Sequence, residues 1–327
     1  MKVKVGLIGT GWFTKHHLHI LSQLEEVEVV GFVGSSKEKA EKLAADNPGT
    51  KGFGSLEEMI ANDRPDAVYI CVPPMSHGHY EKLLIEENIP FLIEKPLGTD
   101  LAVVREINEL VERKNHLTSV GYHFRYSDVV EKWKRYNEKV KTGMVTAGWM
   151  GSMPSVYWWR DQSLSGGQFN EQTTHLVDLI RFIYGEVNSV YAQEARNVKA
   201  KTDASITVAD VGSFTVTMEN GIIVQIANTS ILPDGTGDVG IKAFTDKGIL
   251  TWQMQSFEVA GAEKKEWFKA KNNPYLEESK AFIHAVRSDD RKGIMSPYQD
   301  AYQSFKVAMA AQKSIREGKV IGLNDLE

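Results

Sequence analysis

Short apolar runs alternate with amphipathic stretches through the first third of the chain. Val3–Ile8 reads as a buried strand and leads into a helical stretch, Phe13–Leu24, with Phe13, Leu21 and Leu24 among its apolar positions. Val27–Val33 is a second strand, followed by a Lys/Glu/Ala-rich helix near Lys37–Ala45. Ala67–Val72, Phe91–Ile93 and Thr118–Gly121 read as further strands, with helices near Gly78–Glu87 and Leu101–Lys114. Strands alternating with helices imply βαβ crossovers and a parallel sheet covered on both faces.

The pattern changes near residues 121–126. One helix follows, about Asp128–Val140, and then strand-like segments dominate. In Val211–Met218, Phe214, Val216 and Met218 share one face and Thr215 and Thr217 the other, and Glu219-Asn220-Gly221 is a turn signal before the extended run Ile222–Ile231. Two helices close the chain, about Leu276–Arg287 and Pro297–Glu317. The expected fold is a parallel α/β domain over residues 1–120 and an α+β domain with a large, mainly antiparallel sheet over residues 121–327.

A length of 327 residues agrees with about two domains. The net charge of −5 does not suit a phosphate backbone, so no nucleic-acid partner is expected. The single cysteine, Cys71, cannot form an intramolecular disulfide, which fits a reducing, cytoplasmic setting. The first residues lack a signal-peptide layout, and no apolar stretch approaches the roughly 18–20 residues that span a bilayer, so no membrane partner is expected.

The first strand ends in Gly9-Thr10-Gly11-Trp12-Phe13-Thr14, a G-x-G-x-x-T sequence lacking the third glycine of a dinucleotide fingerprint. Two glycines allow the tight turn and the close approach of backbone to a pyrophosphate, and the following helix N-terminus supplies free N–H groups. A glycine turn in any βα unit is the plainer alternative. At the tip of the second strand, where an acid would bind the ribose of NAD, stand Ser35, Ser36 and Lys37. Hydroxyls and a cation can hold a 2′-phosphate, so NADP is preferred over NAD. The competing account makes Ser35 or Ser36 a helix N-cap and Lys37 a solvated cation.

Phe91-Leu92-Ile93-Glu94-Lys95-Pro96 puts Glu94 and Lys95 at a strand end, where open parallel sheets bind ligands. A second constellation, Gly166-Gly167-Gln168-Phe169-Asn170-Glu171 through His175 and Asp178, places Glu171, His175 and Asp178 on one helix face. A carboxylate beside an imidazole orients it and raises its basicity, as a general base requires. The plain alternative is a helix acid and a core histidine. His and two carboxylates could also ligate a metal, but no further His or Cys stands at metal spacing, and no metal is expected. Tyr157-Trp158-Trp159-Arg160-Asp161 offers aromatic faces for a sugar and polar groups for its hydroxyls. In a strand, Tyr157 and Trp159 would face opposite to Trp158 and Arg160, and a core role stays open.

These segments resemble the Gfo/Idh/MocA family (glucose–fructose oxidoreductase, inositol dehydrogenase and relatives). The resemblance rests on GLIGTGWFTKHH, VYICVPPMSHGHY, IEKPLGTD, GYHFRYS, SGGQFNEQTTHLVDLIRFIYGE and the tail AFIHAVRSDD…AQKSIREGKVIGL, in that order over nearly the whole length. It implies an N-terminal Rossmann domain and a C-terminal domain whose open sheet mediates oligomerisation, giving a homodimer or homotetramer. The implied activity is hydride transfer between NAD(P) and a sugar, inositol or related polyol. Lys95 matches the family's catalytic lysine and His175 its histidine, while Glu171 stands where aspartate is usual. Pro73 and His77 match a region near the nicotinamide, and the cofactor set becomes Gly9, Gly11, Trp12, Phe13, Ser35, Ser36, Lys37, Pro73, His77, Glu94 and Lys95. The substrate set is Lys95, His123, Tyr157, Trp158, Arg160, Glu171 and His175, with His123 replacing the usual asparagine and so weakening any role borrowed for that position. His17 is expected to pack, Asp178 to serve structure, and Gln168, in place of a third glycine, to add a polar group to the pocket. The proton acceptor is His175 or Lys95. Two competing functions are a tightly held nicotinamide used for transient oxidation and a non-catalytic ligand sensor.

Overall fold

The computed structural model describes residues 1–326. The chain divides into two compact units, one of residues 1–123 and 273–302, the other of 124–272 and the stretch from 303 onward. The first unit is therefore not one continuous length of chain, because residues 273–302 return to it.

Its elements are β1 (Val3–Ile8), α1 (Trp12–Leu21), β2 (Val27–Val33), α2 (Lys37–Ala45), β3 (Lys51–Phe53), α3 (Leu56–Asp63), β4 (Ala67–Ile70), α4 (His79–Glu86), β5 (Phe91–Ile93), α5 (Leu101–Lys114) and β6 (Thr118–Val120). The strands lie in the order β3-β2-β1-β4-β5-β6, all parallel, so the winding reverses between β1 and β4. A reversal of this kind opens a crevice at the carboxyl ends of the strands, the place where doubly wound sheets bind ligands. The central strands are buried on both faces, which explains their unbroken apolar runs: Val68, Tyr69 and Ile70 are all fully covered. The expected parallel α/β architecture is present, and β3 and α3 add a βα unit that the apolar pattern did not mark.

In the second unit α6 (Asp128–Asn137), β7 (Thr142–Met150), α7 (Gln162–Ser165), α8 (Thr174–Tyr184), β8 (Val187–Ala195) and α9 (Lys199–Thr202) precede a run of strands. These are β9 (Val211–Met218), β10 (Ile223–Thr229), β11 (Asp238–Thr245), β12 (Gly248–Gln253), β13 (Ser256–Ala260) and β14 (Lys265–Lys269). The chain then forms α10 (Pro274–Ser288), α11 (Tyr298–Glu317) and the short β15 (Ile321–Gly322). Nine strands order as β14-β13-β12-β11-β7-β10-β9-β8-β15, antiparallel except where β10 pairs with β7. The large, mainly antiparallel sheet is thus observed. Trp133 of α6 packs on Trp252 and Phe257 of the sheet, covering one face. The other face carries a row of cross-strand neighbours, Ile223, Met144, Phe244 and Ile249, each exposed by 38–50%.

One local expectation fails. Tyr157–Arg160 is a 3₁₀ turn, not a strand, so the two-residue alternation does not apply. Trp159 is buried in a small core with Met153, Ile206 and Val208, while Tyr157 is 74% exposed.

Where β3 meets α2, the fold tolerates no side chain. A Cβ on Gly52 would stand 2.3 Å from the backbone nitrogen of Glu41. Gly52→Ala is expected to force α2 off the sheet and to destabilise the protein by about 1–3 kcal/mol, the usual cost of overpacking. A thermal or urea melt checks this, and an unchanged midpoint would show that α2 yields freely.

Candidate active site

In the first unit, the glycine turn leaves β1 between two neighbours. Gly9 donates its N–H to Val33 at 2.8 Å and has φ +112, and a Cβ there would lie 2.3 Å from the Cys71 carbonyl oxygen. Only glycine fits. Gly11 caps α1 with no side chain, and nothing lies within 4 Å of the position a Cβ would take. The first-turn N–H groups of α1 therefore face open space beside the positive end of its dipole, an arrangement that suits a pyrophosphate. Thr14 is fully buried in place of the third glycine. Trp12 is 69% exposed and lies flat on His16, ring centroids 5.2 Å apart, with half-buried Phe13 edge-on to it at 4.9 Å. A dinucleotide thus fits the donors and the space present.

At the tip of β2 the three expected residues separate. Ser36 is the N-cap of α2, accepting from the Lys39 backbone, and Lys37 is paired with Glu58 at 2.7 Å. Ser35 instead accepts from the side chain of Lys39 at 3.0 Å. Lys39 went unnoticed in the sequence, although it stands four positions after Ser35, on the first turn of the helix that the tip introduces.

The carboxyl ends of β4 and β5 hold two buried carboxylate–imidazole pairs. After Pro73, His77 meets Glu81 at 2.7 Å through Nδ1, and the other Glu81 oxygen accepts from the Gly78 N–H at 2.6 Å. One carboxylate thus caps α4 and fixes the His77 ring. At the end of β5, Glu94 accepts from His17 Nε2 at 2.7 Å, with both side chains buried. Burial pushes the Glu94 carboxyl up, but the His17 hydrogen bond, with the nearby charges of His17 and Lys95, outweighs it and holds the group below the ordinary glutamate value. Gly121 backs onto this carboxylate, for a Cβ there would stand 2.7 Å from Glu94 Oε2. Lys95 follows directly and is half-buried. His17, expected to pack, has this polar task as well.

His123 is buried and stacked on Tyr275 at 3.8 Å. Burial, only partly opposed by the Glu94 charge, lowers its pKa to about 3, so the ring is neutral. Burial and the charges of Glu94 and Glu278 raise the Tyr275 hydroxyl. Cys71 is pushed up by burial and by Glu94 and remains a thiol.

In the second unit, Glu171 and His175 are both buried, at 8% and 7% exposure. Glu171 lies in a π turn, Phe169–Thr173, that runs into α8, so the expected regular helix face is widened at this point. His175 lies parallel to Trp149 with centroids 5.9 Å apart, and Phe124 meets it edge-on at 5.2 Å. Asp178 is held by Arg125 through two hydrogen bonds of 2.7 and 2.6 Å and by Ser304 at 2.9 Å. Gln168, expected in the pocket, spends its amide nitrogen on the carbonyls of Trp149 and Thr229, tying the turn to β7 and β10. Trp158 is half-buried against the small core around Trp159, and Arg160 Nε bonds the Pro154 carbonyl at 3.1 Å, which leaves Tyr157 as the exposed aromatic of that loop. Among the described residues no group of three His, Cys, Asp or Glu could hold a metal ion, and no helix is long and apolar enough to cross a membrane.

The pair Glu94–His17 generates a pH-dependent prediction. A depressed folded-state pKa contributes stability above the unfolded value and loses it as pH falls through the folded one. His17→Ala should cost about 3–5 kcal/mol near neutral pH, as for one broken half of a buried pair. The gap in melting temperature between wild type and variant should close in acid, below the ordinary glutamate range; a gap independent of pH would refute the role.

Comparison with known proteins supports the family and the fold. Residues 3–122 match a family described as "Oxidoreductase family, NAD-binding Rossmann fold", and residues 139–261 match the GFO/IDH/MocA C-terminal domain. Glucose-6-phosphate 3-dehydrogenase of Bacillus subtilis is 23% identical over 72% of this chain and 70% of its own. Inositol 2-dehydrogenase of Corynebacterium glutamicum is 23% identical over 98% of this chain and 95% of its own. Among solved structures, the WlbA dehydrogenase of Bordetella pertussis in complex with NADH and UDP-GlcNAcA superimposes with a TM-score of 0.84 at 22% identity, covering 98% of this chain and 99% of that one.

Proposed function

The chain belongs to the GFO/IDH/MocA family of oxidoreductases, and from that membership we propose that it oxidises or forms a secondary alcohol on a sugar, inositol or related polyol, with NADP preferred to NAD. The observation that carries the proposal is Lys95 at a strand end, directly after a carboxylate kept charged by His17. The nicotinamide supplies the hydride acceptor or donor when bound. Lys95 donates a hydrogen bond to the reacting oxygen and stabilises charge that develops there. His175 takes the hydroxyl proton, and the rings of Trp149 and Phe124 keep water from it. Glu171 orients His175 or holds an adjacent hydroxyl. Tyr157 offers its exposed ring to the apolar face of the sugar.

The cofactor preference rests on Ser35 and Lys39 rather than on Lys37, which Glu58 engages. The relatives named for glucose 6-phosphate and inositol support the substrate class. The exposed row Ile223, Met144, Phe244 and Ile249 supports assembly as a homodimer or homotetramer through the uncovered sheet face, and the lone, buffered Cys71 suits a cytoplasmic enzyme.

The direct test is a panel of sugars, inositols and sugar acids with both cofactors, read at the absorbance of reduced nicotinamide. Turnover on at least one member is expected. Lys95→Ala and His175→Ala should each lower kcat by about 10²–10⁴ with cofactor affinity largely kept, and near-wild-type turnover of both would sink the mechanism. Separately, Lys39→Glu should weaken NADP binding about ten- to a hundredfold, the worth of a charged hydrogen bond, with little change for NAD. Equal losses for both cofactors would remove Lys39 from phosphate recognition.

A further inference from the structure

The second unit carries a groove far along its sheet that the redox chemistry does not use. β15 pairs with β8 only at Val190 and Ser189, and beyond them Ser314 of α11 accepts from the Ala192 N–H at 3.0 Å. There a groove of about 490 Å³ lies among the end of β8, the start of β9 and the last turn of α11. That volume is within the range of small-molecule sites.

Three features converge on one carboxylate. Glu194 shares a strand face with the buried Val190 and Ala192, so its side chain is half-buried against the α11 side of the sheet. Its cross-strand partner is Gly212, which puts no side chain beside it. The described structure gives the Glu194 carboxylate no hydrogen bond or ion pair, in contrast to the satisfied carboxylates of Glu81, Glu94 and Asp178. Ala192, on the Glu194 face, and Ile315 of α11 supply apolar wall, and Gly318, at φ +64, ends α11 at the rim. The C-terminal end of a helix is its negative end.

We propose that this groove binds a small alkylammonium compound, its cationic head on Glu194 at the α11 C-terminus and its hydrocarbon part on Ala192 and Ile315. An anion would meet two negative features. A neutral apolar ligand would strip water from a carboxylate without pairing it, which is costly. Divalent ions need several oxygen ligands, and this wall is largely apolar. Partial burial already pushes Glu194 to about 7, and an ammonium group would offset that penalty. The other titratable side chain lining the groove is Tyr191, whose hydroxyl accepts from Gln193 at 3.0 Å.

The test is calorimetric titration of the full chain with n-butylammonium chloride at about pH 8, where the carboxylate is ionised. n-Butanol and n-butyrate at matched ionic strength serve as controls. Saturable binding with Kd of about 1 mM or tighter is expected, at least tenfold weaker in Glu194→Gln and for n-butanol. Methyl NMR shifts at Ala192 and Ile315 in wild type locate the ligand independently of that variant's folding. Absence of saturable binding, equal affinity in Glu194→Gln, or equal binding of n-butanol would each overturn the proposal.

Discussion

Glu94 carries its charge inside the protein, at the end of β5, and the His17 imidazole keeps it there. An ion of this kind costs several kcal/mol to bury unless its lone pairs find donors. The donor comes from α1, the helix whose first turn would face a bound pyrophosphate. One hydrogen bond therefore ties the helix that would receive the cofactor to the strand end that carries Lys95. The backbone obeys the same bond. Gly121 must lack a side chain because the carboxylate occupies that volume, and Gly9 must lack one because the Cys71 carbonyl, just after β4, stands there. The local sequence Glu-Lys-Pro is thus a statement about a neighbour 77 residues away.

The second unit solves a similar problem with a buried ion pair. Asp178 sits one turn after His175 on α8, and Arg125 grips it with two nitrogens while Ser304 of α11 adds a third donor. Such a bidentate contact fixes the roll of α8 about its own axis. The imidazole of His175, one turn earlier, inherits that orientation and is then bounded by Trp149 and Phe124. The π turn before it moves Glu171 off a regular helical register, and Gln168 holds the start of that turn to the sheet through two backbone carbonyls. Position in this unit comes from groups that never need to touch a substrate.

Periodicity marks what burial enforces. The fully covered strands β4 and β5 were legible as unbroken apolar runs, and β9 as strict alternation, because one face or both had to leave water. β3 was not legible, since its three residues pack through a glycine and carry almost no apolar signal. The Tyr157–Arg160 segment reads as a strand by composition, yet the aromatic that anchors it, Trp159, belongs to a core formed with Ile206 and Val208 from a distant part of the chain. Nothing local announces that core.

The same distinction governs the candidate site. Gly9, Gly11 and Lys95 were legible because turn geometry and strand ends constrain residue type locally. The β2 tip was only half legible: the sequence shows two hydroxyls and a cation, but which cation pairs with a hydroxyl depends on Glu58, contributed by α3. Lys37 is drawn to that carboxylate, and Ser36 is consumed by the N-terminus of α2, so the pairing left over is Ser35 with Lys39. The Ser35–Lys39 pair is therefore selected by subtraction. The helix cap and the acidic neighbour take the residues that sequence order puts first, and the proposed phosphate contact falls to Lys39 in the first turn of the helix.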